Sequence, residues 1–147
     1  DPTIIKIMEH PLSLKAIVRQ LKNALANQSK ILFAYLHGSV LSSEKPGDID
    51  VAVYLISEAF DPLQTKAELS LGFAIPLEMK LEKILQKKVD IQVINRAPLS
   101  FRYRVINEGM LIIDNDSNKR CDFEYLSRVE YFDFSPRQKE YLREVIT

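Results

Sequence analysis

The spacing of apolar residues predicts helices and strands in alternation along the chain. Between residues 12 and 28 apolar side chains recur three and four positions apart, which predicts an amphipathic helix with Ser13 as its N-cap. Two apolar runs, 30–36 and 48–56, predict buried strands. Apolar and polar residues alternate over 88–94, which predicts a third strand with two different faces.

The segments between and after these strands predict further helices. One spans about 65–86, where Pro76 is expected to kink or break it, and another spans about 98–108 and ends at Gly109 as its C′ residue. Met110–Asp114 follows as a predicted fourth strand at the edge of the sheet.

The last part of the chain predicts two helices in succession. The first spans about 116–130. The second begins at Ser135, with Pro136 at its first helical position and Gln138 completing a capping box. Together the elements predict a single α+β domain over residues 1–147, in which helices pack on a small sheet.

Composition and charge narrow the possible functions. Twenty basic residues balance twenty acidic ones, which argues against binding nucleic acid through bulk positive charge. We find no apolar stretch long enough to span a bilayer, so we expect no membrane partner. The single cysteine, Cys121, cannot form an internal disulfide, and we therefore expect a reducing, cytoplasmic location.

Three aspartates on the predicted strands suggest a metal site. Asp48 and Asp50 are two residues apart, so strand alternation places both side chains on one face, opposite the apolar residues between and after them. Asp90 alternates in the same way on the third strand. If the two strands are neighbours, three carboxylates share a face and can hold two Mg²⁺ ions, as phosphoryl and nucleotidyl transfer require.

A glycine and a serine follow the first predicted strand. Gly38 allows a phosphate to approach the backbone closely, and the Ser39 hydroxyl and nearby N–H groups can bind its oxygens. The preceding His37 either contacts a phosphate or ribose or is packed at the strand end by its neighbours. A phosphate-binding turn that leads into a two-carboxylate strand is chemically coherent, and it predicts a site for a nucleotide and a metal.

These motifs resemble a known signature. The run Tyr35-Leu-His-Gly-Ser, followed after eight residues by Asp48-Ile-Asp-Val-Ala-Val, is similar to the signature of the DNA polymerase beta-like nucleotidyltransferase superfamily. Val89-Asp90-Ile resembles the segment with its third carboxylate. Four later segments resemble the minimal nucleotidyltransferase (MNT) antitoxins of HEPN/MNT toxin–antitoxin pairs: Leu99-Ser-Phe-Arg-Tyr-Arg-Val-Ile-Asn-Glu-Gly, Met110-Leu-Ile-Ile-Asp, Phe123-Glu-Tyr and Tyr131-Phe-Asp-Phe.

The resemblance implies a fold, an activity and a partner. The fold would be a mixed sheet flanked by helices. The activity would be transfer of AMP from ATP to a tyrosine of a partner HEPN ribonuclease toxin, which silences the toxin. Asp48 and Asp50 would bind both metal ions, Asp90 would bind the ion that activates the acceptor hydroxyl, and Gly38 and Ser39 would hold the ATP phosphates.

One departure from the family pattern keeps other functions open. The loop 40–47 is about two residues shorter than usual, lacks the Arg-Gly common early in it, and contains only one cation, Lys45. An antitoxin that masks its toxin by binding alone is therefore an alternative. A small-molecule nucleotidyltransferase is another, but that class usually needs an extra domain to bind its acceptor.

Two further stretches each have two interpretations. Residues 79–104 contain seven Lys or Arg and two acidic residues, so this stretch either meets an acidic partner or the nucleotide, or forms a solvated helix face. Residues 123–134 contain five aromatic residues. Some of these belong to the core, and those around Tyr131–Phe134 are the candidate docking surface for a partner protein.

Overall fold

A computed structural model describes residues 13–42, 47–56 and 63–146. Its centre is a four-stranded mixed sheet in the order β3-β2-β1-β4. The strands are β1 (Ile31–His37), β2 (Ile49–Leu55), β3 (Val89–Val93) and β4 (Met110–Asp114). β1 is antiparallel to β2 and β4, whereas β2 and β3 are parallel. All four strands were predicted, and the α+β class is confirmed.

An aliphatic layer covers the first face of the sheet. Helix α1 (Leu14–Leu25) begins as predicted, since the Ser13 side chain accepts a hydrogen bond from the backbone N–H of Ala16 at 3.2 Å. The apolar stripe of α1 lies on the sheet beside that of another helix, α3 (Ile75–Leu85). The helix residues that are fully or nearly fully buried here are Ile17, Leu21, Leu25, Leu77, Leu81 and Leu85.

Pro76 does not break the helical segment that was predicted around it. Helix α2 (Lys66–Leu69), which starts with a capping box between Thr65 and Glu68, continues through a π-helical turn, Ser70–Ala74, into α3. Pro76 lies in the first turn of α3, where a residue without an N–H group is tolerated. The wider π-helical turn directly precedes the proline, so the departure from regular α-helix falls next to the residue that lacks an N–H group.

Helix α4 (Leu99–Glu108) matches its prediction, but Gly109 does not have the left-handed conformation of a C′ glycine. Its φ is −80°, in the extended region. An added Cβ at Gly109 would collide with the carbonyl oxygen of Val105 and would lie 3.3 Å from that of Leu36. Glycine is therefore needed where the chain leaves α4 beside β1, and Gly109 is the C-cap of the helix and not the predicted C′ residue.

The last helix, α5, is continuous from Ser117 to Ile146. The predicted new helix start at Ser135 is therefore wrong, and the Gln138 side chain of the predicted capping box lies outside what the structure describes. The turn before Ser135 packs against α4. The Tyr131 ring stacks on Tyr103 of α4 at 3.8 Å, and Phe132 contacts both rings edge-on.

Helices α4 and α5 cover the second face of the sheet with an aromatic layer. Phe33 stacks on Tyr54 at 4.5 Å and packs against Phe123 of α5. The Tyr35 hydroxyl donates a hydrogen bond to Glu124 at 2.7 Å, which ties α5 to β1. No helix within the described ranges is long and apolar enough to cross a membrane.

Candidate active site

The site begins where β1 ends. His37 is the last residue of the strand, and Gly38 opens a short 3₁₀ turn, Gly38–Leu41, that the buried side chain of Val40 anchors in the core. Gly38 has a φ of +83°, and a Cβ there would collide with a carboxylate oxygen of Asp50. This position therefore requires glycine, and the Asp50 carboxylate lies directly against the predicted phosphate-binding turn. Ser39 is exposed on that turn.

Strand register brings two of the predicted aspartates together. Asp50 of β2 is the direct partner of Asp90 on β3, and His37 of β1 is the partner of Asp50 on its other side. Ile49 and Val51, the chain neighbours of Asp50, are buried in the aliphatic layer. Alternation therefore places Asp50, and by the same rule Asp90, on the second face of the sheet.

Asp48 lies just before β2 and is exposed. It is therefore at the same end of the sheet as Asp50 and Asp90, but outside the regular strand on which it was predicted. Among the described residues, no three His, Cys, Asp or Glu side chains are arranged so that they could hold a metal ion. Convergence of Asp48, Asp50 and Asp90 on one ion thus stays a prediction, which requires the exposed Asp48 side chain to turn toward the other two.

The electrostatics of the site favour a positively charged ligand. Partial burial raises the pKa of Asp50, and the neighbouring charges of Asp90 and Asp48 raise it further, against the opposing effect of His37. Within the described residues, none of these three carboxylates forms a salt bridge. Carboxylate oxygens are the ligands that Mg²⁺ prefers, so the residues present fit a magnesium site.

Three further residues lie around Asp90 and His37: Gln92, which the sequence analysis did not name, and Phe101 and Arg104, which it named only within longer stretches. Gln92 donates a hydrogen bond from its amide to Asp90 at 3.1 Å, from two residues along the same face of β3. The ring of Phe101, on α4, meets the His37 ring edge-on at 5.6 Å, so His37 is half-buried and packed at the strand end. Arg104 lies beside Phe101. Strand alternation could have indicated Gln92, but only the docking of α4 reveals the other two.

Two glutamates fix the outer edge of β3, the strand with Asp90. Glu82 of α3 accepts a hydrogen bond from the backbone N–H of Val89 at 3.1 Å, and Glu78 accepts one from Ile91 at 3.2 Å. They satisfy edge N–H groups that a further strand would otherwise bind, and so protect the edge from pairing. Burial raises the pKa of Glu78, and the charge of Asp90 raises it further, whereas the hydrogen bond from Ile91 lowers it.

Family comparison agrees with this geometry. The model of the family described as Polymerase beta, Nucleotidyltransferase matches residues 19–118, which is more than half of the chain. The chain belongs to this nucleotidyltransferase family. The matched range includes the glycine turn and all three aspartates. A sequence search among curated proteins finds no match.

Solved structures show the same fold over nearly the whole chain. One is the toxin–antitoxin pair MntA–HepT, with 19% identity, a TM-score of 0.63 and coverage of 90% of this chain and 99% of that one. Another is the tri-AMPylated Shewanella oneidensis HEPN toxin in complex with MNT antitoxin, with 19% identity, a TM-score of 0.65 and coverage of 91% and 99%. A third is a toxin–antitoxin complex with AMP-PNP, with 18% identity, a TM-score of 0.66 and coverage of 88% and 98%.

Proposed function

We propose that this chain is an antitoxin that transfers AMP from ATP to a tyrosine of a partner HEPN ribonuclease toxin. The observation that carries the proposal is the Asp50 carboxylate, which lies against Gly38 of the turn and in register with Asp90. Family membership supports the reaction class. The structural likeness to an AMPylated toxin bound to its antitoxin, and to a complex with AMP-PNP, supports the partner and the nucleotide.

The chemistry follows from the placement of these groups. The tyrosine hydroxyl oxygen of the partner forms a bond to the α-phosphorus of ATP, the bond from that phosphorus to the β-phosphate oxygen breaks, and pyrophosphate leaves. The phenolic proton passes to solvent. A tyrosine suits this role because its hydroxyl ionises more easily than that of serine. Gly38 and Ser39 hold the ATP phosphates and fix the direction of attack.

The three aspartates supply the metal ligands in this proposal. Asp48 and Asp50 would hold both Mg²⁺ ions, and Asp90 would hold the ion that activates the acceptor hydroxyl. When bound, Mg²⁺ neutralises phosphate charge and lowers the pKa of a bound hydroxyl. Residues 1–147 act as a single nucleotidyltransferase domain, and the exposed, free Cys121 fits a cytoplasmic location.

The partner supplies the acceptor from outside the domain. Among the described residues of the predicted docking surface, Phe132 at the α4–α5 contact is an exposed aromatic side chain, 62% accessible. Tyr131 belongs instead to the packing between helices, since it stacks on Tyr103. The side chain of Phe134 lies outside the described residues.

Intact mass spectrometry tests the proposal. The purified chain is incubated with ATP, Mg²⁺ and the HEPN protein encoded beside it, and both masses are measured. We expect AMP on the partner with the wild-type chain and none with Asp50→Asn, whose melting temperature should equal or exceed that of the wild type because a charge repulsion is removed. Neutralisation of the toxin without any mass change would contradict transfer and would establish the binding-only alternative.

A further inference from the structure

Two arginines on α4 have different surroundings although they are two residues apart. The guanidinium of Arg102 lies 3.6 Å from Glu130 and over the ring of Phe123, so it faces α5. The guanidinium of Arg104 is exposed and lies over the ring of Phe101, 5.7 Å from its centre. Arg102 therefore links α4 to α5, whereas Arg104 contacts the ring of Phe101.

Phe101 connects Arg104 to the site. Its ring meets His37 edge-on at 5.6 Å, and His37 both precedes the glycine turn and is the strand partner of Asp50. Arg104 is thus a positive charge at the rim of the site, held over an aromatic ring.

The charges at the site explain what such an arginine can bind. Among the described residues, three other arginines form salt bridges with carboxylates of α5 and β4: Arg102, Arg120 and Arg128. Within the same residues Arg104 has no acidic partner. The turn Gly38–Leu41 contains no Lys or Arg, whereas the site holds three aspartates that repel a polyphosphate. A planar guanidinium is well suited to bind phosphate oxygens in pairs.

We propose that Arg104 binds the phosphate chain of the nucleotide, and thus that α4 supplies the phosphate-binding cation that the turn after β1 lacks. Phe101 holds the guanidinium through its ring and also contacts His37, the residue before Gly38. This inference rests on the proposed function, because it takes the ligand to be ATP. An acidic side chain of the partner toxin is the competing ligand for Arg104, and the experiment separates the two.

The test measures nucleotide affinity of the full chain and two glutamine variants by isothermal titration with Mg²⁺–ATP, and by competition with adenosine. Arg104→Gln should weaken ATP binding by roughly tenfold or more, as expected for loss of a charge-assisted contact, and should leave adenosine competition unchanged. Arg104→Lys should recover part of the loss. The matched control is Arg19→Gln, which removes an exposed arginine from α1 on the opposite layer and should change nothing.

Each other outcome overturns the inference in a different way. Equal ATP affinity in Arg104→Gln and the wild type removes the phosphate role, and a weakened toxin complex in that case assigns Arg104 to the partner. If Arg104→Gln loses affinity for ATP and for adenosine equally, Arg104 contacts the nucleoside and not the phosphates. A wild-type chain that binds no Mg²⁺–ATP overturns the proposed function itself. A circular dichroism melt of each variant excludes unfolding as the cause of any loss.

Discussion

The two faces of the sheet are built from the same strands but differ in what covers them and in which face carries the candidate site. The first face is covered by aliphatic side chains of α1 and α3, and its layer extends across all four strands. The second face is covered by a smaller, aromatic layer under α4 and α5. Beyond that layer, His37, Asp50 and Asp90 form a row of strand partners that is only partly covered.

The difference shows how a small domain combines stability with chemistry. Along β2, Ile49 and Val51 are fully buried on the first face, and Asp50 between them belongs to the second. The burial of its neighbours holds Asp50 in place, although its own partial burial among like charges is unfavourable. We therefore expect substitutions on the first face to change stability and substitutions on the second to change activity.

The largest effect is expected at Gly38, which lies at the site end of the second face. Gly38→Ala places a Cβ against Asp50 at a φ of +83°, so either the turn or the carboxylate must move. A displacement of this kind is expected to reduce AMP transfer by about 100-fold or more. The rate of AMP incorporation with purified partner measures it.

Gly72→Ala is the matched control for that substitution. Gly72 lies in the π-helical turn with open space around the position of a Cβ, so the same chemical change should leave transfer intact. Its free energy of unfolding should change by less than about 1 kcal/mol. Similar losses of activity in both variants would show that the effect at Gly38 is not a local one.

On the first face, Leu81→Ala should lower stability and leave transfer activity unchanged. Leu81 is 0% exposed in the aliphatic layer, and its truncation is expected to cost about 2–5 kcal/mol of unfolding free energy. Urea denaturation measures the cost, and transfer activity per folded molecule should stay near the wild-type value. Ile84→Ala on the exposed side of the same helix should cost less than about 0.5 kcal/mol.

Phe132 tests whether the outer surface of the second layer binds the partner. Phe132→Ala is expected to weaken the toxin complex by roughly tenfold, as for an aromatic residue central to an interface, with ATP affinity unchanged. Met79→Ala, which removes an exposed apolar side chain from α3 behind the first face, serves as the control. Equal loss of ATP and toxin binding in Phe132→Ala would place this ring in the packing of the domain and not in the interface.

The smallest effect is a pH dependence at Glu78, between α3 and β3. Because the folded-state pKa of Glu78 is raised above its unfolded value, the stabilising contribution of its proton is present below the unfolded pKa and is lost as pH rises through the folded one. Glu78→Gln should therefore gain stability relative to the wild type as pH rises from about 4 to 7, by less than about 1 kcal/mol because solvent screens the group.

Asp90→Asn provides the control for that measurement, because the charge of Asp90 contributes to the raised pKa of Glu78. In the Asp90→Asn background the pH-dependent gain should shrink. A gain of the same size in both backgrounds would exclude Asp90 and leave burial and the charge of Glu82 as the causes of the raised pKa. Chemical denaturation at a series of pH values gives both comparisons.

Local patterns correctly predicted the elements in which short-range spacing decides the structure. The Ser13 cap, the four strands and the helix before Gly109 all depend on alternation or capping within a few residues. The helix breaks predicted at Pro76 and Ser135 were wrong, since both segments continue as helix. Next to Ser135, Tyr131 and Phe132 contact Tyr103, a residue on another helix, and no local pattern indicates that contact.

By itself, the sequence determined the face on which Asp50 and Asp90 lie, because strand alternation acts locally. Only the tertiary structure decided that Asp50 and Asp90 are direct strand partners and that Asp50 lies against Gly38, which therefore requires glycine. It also decided that glutamates of α3 bind the free edge of β3 and that Arg104 lies over Phe101, whose ring contacts His37. The physical reason is that strand order and helix docking depend on burial summed over the whole core, which no short segment specifies.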